Sequence, residues 1–227
     1  MNSEAVLWEG FHWMNNSLFE FDKKQRRDNH VTMIAGFDEA GRGPLAGPVS
    51  CAGVVLPPDY ENDLINDSKK LTDKERRILF EEIKEKAIAY SVILVSVKTI
   101  DEINILEADR LGMETCLTEL LKKVDVEYLI TDYMKLHTTL PTLAIAKGDA
   151  TSISVAAASI LAKVTRDDYM IELDKKYPEY QFKKNKGYGT KAHLEALKKN
   201  GYIEGVHRLT FEPVKSMVNH IEQLKLF

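Results

Sequence analysis

The sequence predicts an α/β fold in which a mixed β-sheet is flanked by helices and followed by a helical C-terminal region. Short apolar runs of strand length recur at 33–37, 49–56, 90–97, 127–131 and 142–146. After the first two they alternate with helical sequence, and beyond residue 150 only helical patterns continue. Strands first, then alternation, then helices is the order of a layered α/β domain.

Residues 1–32 carry Trp8, Phe11, Trp13, Leu18, Phe19 and Phe21 with no clean period, followed by the charged run 22–28. They are expected to form an N-terminal extension, with aromatics packed on the domain and a solvated connector leading to a catalytic domain over 33–227. Met33, Ile34, Ala35 and Phe37 suit a buried strand, and Gly41, Gly43, Gly47, Pro44 and Pro48 prevent it from continuing unbroken. Asp38 and Glu39 are therefore expected where regular structure stops. Strand neighbours point to opposite faces, so one site could use both only through a backbone turn, which Gly41 permits. A surface turn is the bland alternative. Against it, 49–56 follows at once as another apolar strand, and charges between buried strands are costly without a compensating cation.

Further along, Thr72 and Glu75 form a capping-box pattern opening a helix to about Ala89, and Thr99 with Glu102 suggests another opening a helix through about Lys123. The strand 127–131 ends on Asp132, and the strand 142–146 is followed by Lys147, Gly148 and Asp149. Residues 151–176 read as a long, largely buried helix. Along it Ser152, Ala156, Ser159, Lys163 and Arg166 share one face, small at first and basic near its end. A satisfied helix face with a solvated end would look the same. Lysines and aromatics mix over 182–190, a helix follows at 191–199, and a final helix is expected after Pro213.

A chain of 227 residues suits one large domain that buries a full core. Cys51 and Cys116 stand far apart with no second pair, which suggests neither a disulfide framework nor a zinc site and fits a reducing cytoplasm. Glu4 and Glu9 precede any apolar run, against a secretory signal. The most apolar helical run, 153–162, is too short for the roughly 20 residues of a membrane span. A net charge of -4 argues against a nucleic-acid partner only as a whole-chain sum, because local patches can be basic.

Four acids stand at equivalent places: Asp38, Glu39, Asp132 and Asp149, all where predicted strands end. Loops at one sheet edge converge there. Asp149 could instead cap the helix that follows it. Carboxylates without His or Cys suit Mg²⁺ or Mn²⁺, and two such ions about 4 Å apart would serve phosphodiester hydrolysis. Gly41 and Gly43 would let the backbone approach a sugar or phosphate closely.

The segments AGFDEAGRGPLAGPV, NDSKKLTDKER, KGDATSISVAAASILAKVTRD, KNKGYGTKAH and HRLTFEPV, in this order and spacing, closely resemble bacterial ribonuclease HII, the type 2 ribonuclease H family, from about Met33 to Lys215. The resemblance implies a ribonuclease H-like sheet with a C-terminal helical region. It implies that Asp38, Glu39, Asp132 and Asp149 bind metal, with Mg²⁺ or Mn²⁺ as cofactor. It implies hydrolysis of RNA in RNA-DNA hybrids and at single ribonucleotides in duplex DNA, cut on the 5′ side to leave a 3′-hydroxyl and a 5′-phosphate. Separately, the chain is expected to work in the cytoplasm as a monomer without a membrane partner. Gly41, Arg42 and Gly43 match the loop that recognises the ribose 2′-hydroxyl, Tyr188 the tyrosine that stacks on the adjacent deoxyribose, and Lys69, Ser159 and Lys163 phosphate contacts. Tyr133 departs from the family, which commonly has a small residue after the third acid. The rival readings are a nucleotide-dependent transferase and a binding module without catalysis. The first lacks GxxxxGKS or GxxxxGKT, and the second has no need of four acids at one sheet edge. A serine hydrolase lacks GxSxG.

Overall fold

The computed structural model describes residues 18–65 and 71–224. Five strands, β1 (Ile34–Ala40), β2 (Val49–Val55), β3 (Ala89–Val95), β4 (Tyr128–Asp132) and β5 (Thr142–Ile145), form one sheet in the order β3-β2-β1-β4-β5. β1, β2 and β3 are antiparallel, and β4 and β5 join β1 in parallel, so the predicted mixed sheet is present. The helices are α1 (Leu18–Asn29), α2 (Asp73–Lys86), α3 (Val97–Ile103), α4 (Ile105–Leu121), α5 (Ile153–Lys176), α6 (Phe182–Asn185), α7 (Lys191–Asn200) and α8 (Val214–Leu224).

Helices cover both faces of the sheet, which is why β2 is apolar throughout rather than alternating. Its Val49, Cys51 and Val55 join a core with Met113, Cys116 and Leu120 of α4, and its Ala52 and Val54 join another with α2 and α5. β1 divides the same way. Ala35 and Phe37 lie on the α4 side, while Ile34 meets Val155 of α5. Between them Gly36 admits α5: a Cβ there would fall 2.2 Å from the Ser154 carbonyl carbon, so any other residue would push the helix off the strand.

Three expectations need correction. Asp38 and Glu39 do not lie beyond the strand; β1 continues through both, pairing Asp38 with Ala52, Glu39 with Cys51 and Ala40 with Ser50. The apolar β2 beside them keeps the ladder going where the glycines alone suggested a break. Thr99 is not a helix cap: α3 starts earlier, at Val97, with Ser96 as its N-cap, whose side chain accepts from the Thr99 amide, and Asn104 separates α3 from α4. The Thr72–Glu75 capping box does form. The charged run 22–28 is not a solvated connector. It lies in α1, which packs Phe19 and Phe21 toward the domain and buries Asp22, whose Oδ2 accepts from the Ser154 amide at 3.1 Å and hydroxyl at 2.6 Å.

The C-terminal helices enclose a third core around the loop that follows β1, with Leu45 and Ala46 packed among Met170, Leu173, Tyr180, Phe182, Leu197 and Val206. Two buried arginines hold that loop. Arg166 of α5 donates to the carbonyls of Ala46, Pro48 and Lys186 at 2.9–3.1 Å. Arg208 donates to those of Gly41, Arg42 and Gly47 at 2.6–3.1 Å. The loop satisfies few of its own carbonyls, so the guanidinium forks supply donors that secondary structure would otherwise provide. Gly41, at φ +96°, makes room, since a Cβ would fall 1.9 Å from Arg166 Nε.

A pair of buried histidines braces the other side. His193 Nδ1 lies 2.9 Å from the Tyr188 carbonyl and so carries the hydrogen. Its Nε2 must then accept from His207 Nε2 at 3.1 Å, which leaves His207 Nδ1 to accept the Ile203 amide at 2.9 Å. This chain of bonds is complete only when both rings are neutral. Burial lowers both pKa values, His207 to about 4 with His193 beside it adding to the effect.

Replacing Arg208 with Met would leave the carbonyls of Gly41, Arg42 and Gly47 without these donors and should cost at least ~3 kcal/mol in urea unfolding; a loss under ~1 kcal/mol would mean that the loop is held otherwise. Because the folded pKa of His207 lies below the unfolded value near 6.5, its contribution is fully present above that pH and is lost as pH falls toward 4, by ~3 kcal/mol in all. Imidazole ¹⁵N shifts should report a neutral His207 down to about pH 5; a midpoint above 6 would contradict the bonding scheme.

Candidate active site

The ladder between β1 and β4 ends at Phe37–Thr131. Beyond it β1 stays with β2 through Ala40, and β4 stays with β5 through Asp132, so the two central strands part. Asp38, Glu39 and Asp132 occupy the parted ends. They line a cavity of about 380 Å³ together with Gly41, Arg42, Gly43, Ser159, Lys163, Arg166 and Tyr188. A cleft at the parting of two strands is reached from both faces of β1, so neighbouring acids serve one site without a turn between them.

Asp38, on the α5 side, is buried and accepts a hydrogen bond from Ser159. Glu39, on the α4 side, has Oε1 3.7 Å from Arg42 Nη1, and its Oε2 is buried with no hydrogen-bond partner. Asp132 Oδ1 accepts the Gly148 amide at 2.9 Å, which ties the turn after β5 to the end of β4. Lys163 reaches the cleft from α5 and pairs with Asp167 at 2.7 Å. The half-exposed Tyr188 ring borders the loop, 3.7 Å from where a Cβ on Gly43 would stand.

Burial raises the pKa of Asp38, and the charges of Glu39 and Asp132 raise it further against the Ser159 hydrogen bond. Burial also raises Glu39, with Asp109 adding to it and Arg42 opposing. Neighbouring acids in a desolvated cleft are held short of full ionisation until positive charge arrives. An orphaned carboxylate oxygen and an all-oxygen donor set fit a hard divalent cation. Among the described residues no three acids already stand as a closed ligand cluster.

The structure brings all but two of the predicted site residues to this cleft. Asp149 is buried in the short turn Gly148–Ala150 after β5 and is not among the residues lining the cavity. Lys69 lies outside the described residues. Sequence reasoning missed Asp109, fully buried on α4, with Oδ2 3.5 Å from Arg42 Nε and Oδ1 3.4 Å from Cys51 Sγ. Its signal was an acid on the helix face otherwise made by Ala108, Gly112, Met113 and Cys116. It also gave Arg208 no role, although Arg208 lies in a quoted motif.

Among solved structures, the ribonuclease H2 from Pyrococcus horikoshii OT3 is similar at a TM-score of 0.70 and 28% identity, over 84% of this chain and 99% of that one. The ribonuclease HII of Bacillus cytotoxicus is 50% identical over 194 residues, 86% of this chain and 74% of the relative. That of Bacillus cereus strain AH820 is 52% identical over 192 residues, 85% of this chain and 74% of the relative. The model of the family described as ribonuclease HII matches residues 35–214, from the first acid-bearing strand to the start of the last helix. By family model, by relatives half identical to it and by a shared sheet, the chain belongs to the ribonuclease HII family of ribonuclease H endonucleases.

Proposed function

We propose that the cleft cuts RNA paired with DNA and single ribonucleotides embedded in duplex DNA, on the 5′ side of the ribonucleotide, leaving a 3′-hydroxyl and a 5′-phosphate. The observation that carries this reading is the convergence of Asp38, Glu39 and Asp132 at the parted strands, with a buried Glu39 oxygen left unsatisfied. Asp38, Glu39 and Asp132, with Asp149 from the adjoining turn, would hold Mg²⁺ or Mn²⁺. Two bound ions would supply Lewis acidity, one toward the attacking water and the other toward the leaving oxygen.

The remaining steps fall to the chain itself. The Gly41, Arg42 and Gly43 segment, fixed through its carbonyls by Arg208, offers backbone groups to the ribose 2′-hydroxyl, the group that separates RNA from DNA. Tyr188 supplies a ring face for the sugar next to the junction. Lys163, with Lys69, meets phosphate charge, and Ser159 orients Asp38 while offering its hydroxyl to the cleft. The working unit is a cytoplasmic monomer with its catalytic domain over 33–227; no helix among the described residues is long and apolar enough to cross a membrane.

The deciding experiment incubates the protein with duplex DNA carrying one ribonucleotide, with and without Mg²⁺ or Mn²⁺. Metal-dependent cleavage 5′ of that residue is expected, and an uncut duplex under both metals would overturn the reading. Asp38→Asn should lower the cleavage rate at least ~100-fold, because metal-borne charge stabilisation amounts to several kcal/mol. Without metal its melting temperature should not fall, since a repelled charge has been removed; near-normal turnover at saturating Mg²⁺ would remove Asp38 from the metal site.

Tyr188→Ala should lower cleavage at a single ribonucleotide about tenfold while all-RNA/DNA hybrids lose less. A stacking ring contributes ~1–3 kcal/mol of positioning, whereas affinity is summed over many phosphate contacts. Equal losses on the two substrates would make Tyr188 a packing residue.

A further inference from the structure

Beside the acidic cleft lies a second cavity of about 400 Å³, bounded by Arg42, Leu106, Arg110, Tyr133 and Lys135. Arg42 lines both cavities and so joins them. Tyr133 directly follows Asp132 and is 76% exposed, more than any other large apolar or aromatic side chain described. Its backbone sits at φ +62°, a conformation unusual for a bulky residue. The conformation is held in place because its amide donates to the Ile145 carbonyl at 2.9 Å. A ring kept out of the core on a strained backbone, one residue from the chemistry, is explained by what it meets outside rather than by packing.

The surroundings name the ligand. Arg110 of α4 donates to the Lys135 carbonyl at 3.1 Å, which fixes the loop after β4 against the helix, and pairs with Glu107. The exposed Lys135 side chain has no ion-pair partner among the described residues. An open aromatic face beside an unneutralised ammonium and a guanidinium is the combination that holds nucleic-acid strands, by stacking and phosphate pairing.

We infer that this cavity is a second nucleic-acid subsite, which takes the substrate duplex where it leaves the acidic cleft. The ring of Tyr133 lies on a sugar or base, and Lys135 and Arg110 meet the backbone phosphate. The inference rests on the nuclease reading of the cleft, in which Tyr188 provides the other aromatic contact.

The test compares the unaltered protein with Tyr133→Gly and Lys135→Ala. The ligands are labelled duplexes carrying one ribonucleotide, either with long arms on both sides or trimmed at one end or the other. Anisotropy without metal should show Tyr133→Gly binding the long duplex about five- to tenfold more weakly. Its melting temperature should not drop, because glycine accepts that φ without strain. Lys135→Ala should lower the slope of log affinity against log salt by about one. Trimming at one end should erase both deficits, and in Mg²⁺ KM should rise with kcat little changed.

Variants that bind the long duplex as the unaltered protein does, or deficits that survive trimming at either end, would overturn the subsite. An unaltered protein that binds the long duplex but never cuts it would overturn the nuclease reading instead, with the affinity ratios still deciding the subsite.

Discussion

Two guanidinium groups answered by carbonyl oxygens hold the loop from which the active site takes its shape. Arg166 and Arg208 are almost fully buried, and the hydrogen bonds described for them run to main-chain carbonyls of the Gly-rich loop and of Lys186. Neutral carbonyl dipoles stabilise these cations without cancelling their charge. Burial lowers the pKa of both, Arg208 to about 9 with Arg166 adding to it, and both remain cations at neutral pH. The same bonds that satisfy the loop therefore leave positive charge beneath a cleft built to receive phosphate.

Topology supplies the rest. An antiparallel β1–β2 pair keeps Asp38 and Glu39 in regular strand geometry, and the departure of β4 toward β5 opens the space they face. The alternation that would divide two neighbouring acids becomes useful here. One acid is set by Ser159 of α5, and the other stands beside Arg42, which Asp109 of α4 also approaches. Both helices thus report to the same cleft through different carboxylates. Gly36 makes this possible on one side, because α5 reaches Asp38 only by lying close against the β1 backbone.

Much of this was legible in the chain, because the signals were local. Apolar runs marked all five strands, Thr72 and Glu75 marked the start of α2, and alternating spacings of four and three put Ser159, Lys163 and Arg166 on one face of α5. What stayed hidden depended on long-range partners. The burial of Asp22 depends on Ser154, and the continuation of β1 through Glu39 depends on Cys51. The neutrality of His193 and His207 depends on each other and on the Tyr188 and Ile203 backbones. Arg208 resembles any surface arginine until the loop that it clamps is folded around it. The local basic patch expected despite a net charge of -4 is present, with Arg42, Lys163 and Arg166 around the cleft.

The acids at the parted strands, Asp38, Glu39 and Asp132, are proposed to form one divalent-cation site. Anomalous scattering from crystals of the unaltered protein soaked in Mn²⁺ tests it most directly. A strong difference peak bonded to carboxylate oxygens of Asp38, Glu39 and Asp132 is expected. A site occupied elsewhere on the surface, with no density among these three acids, would contradict it.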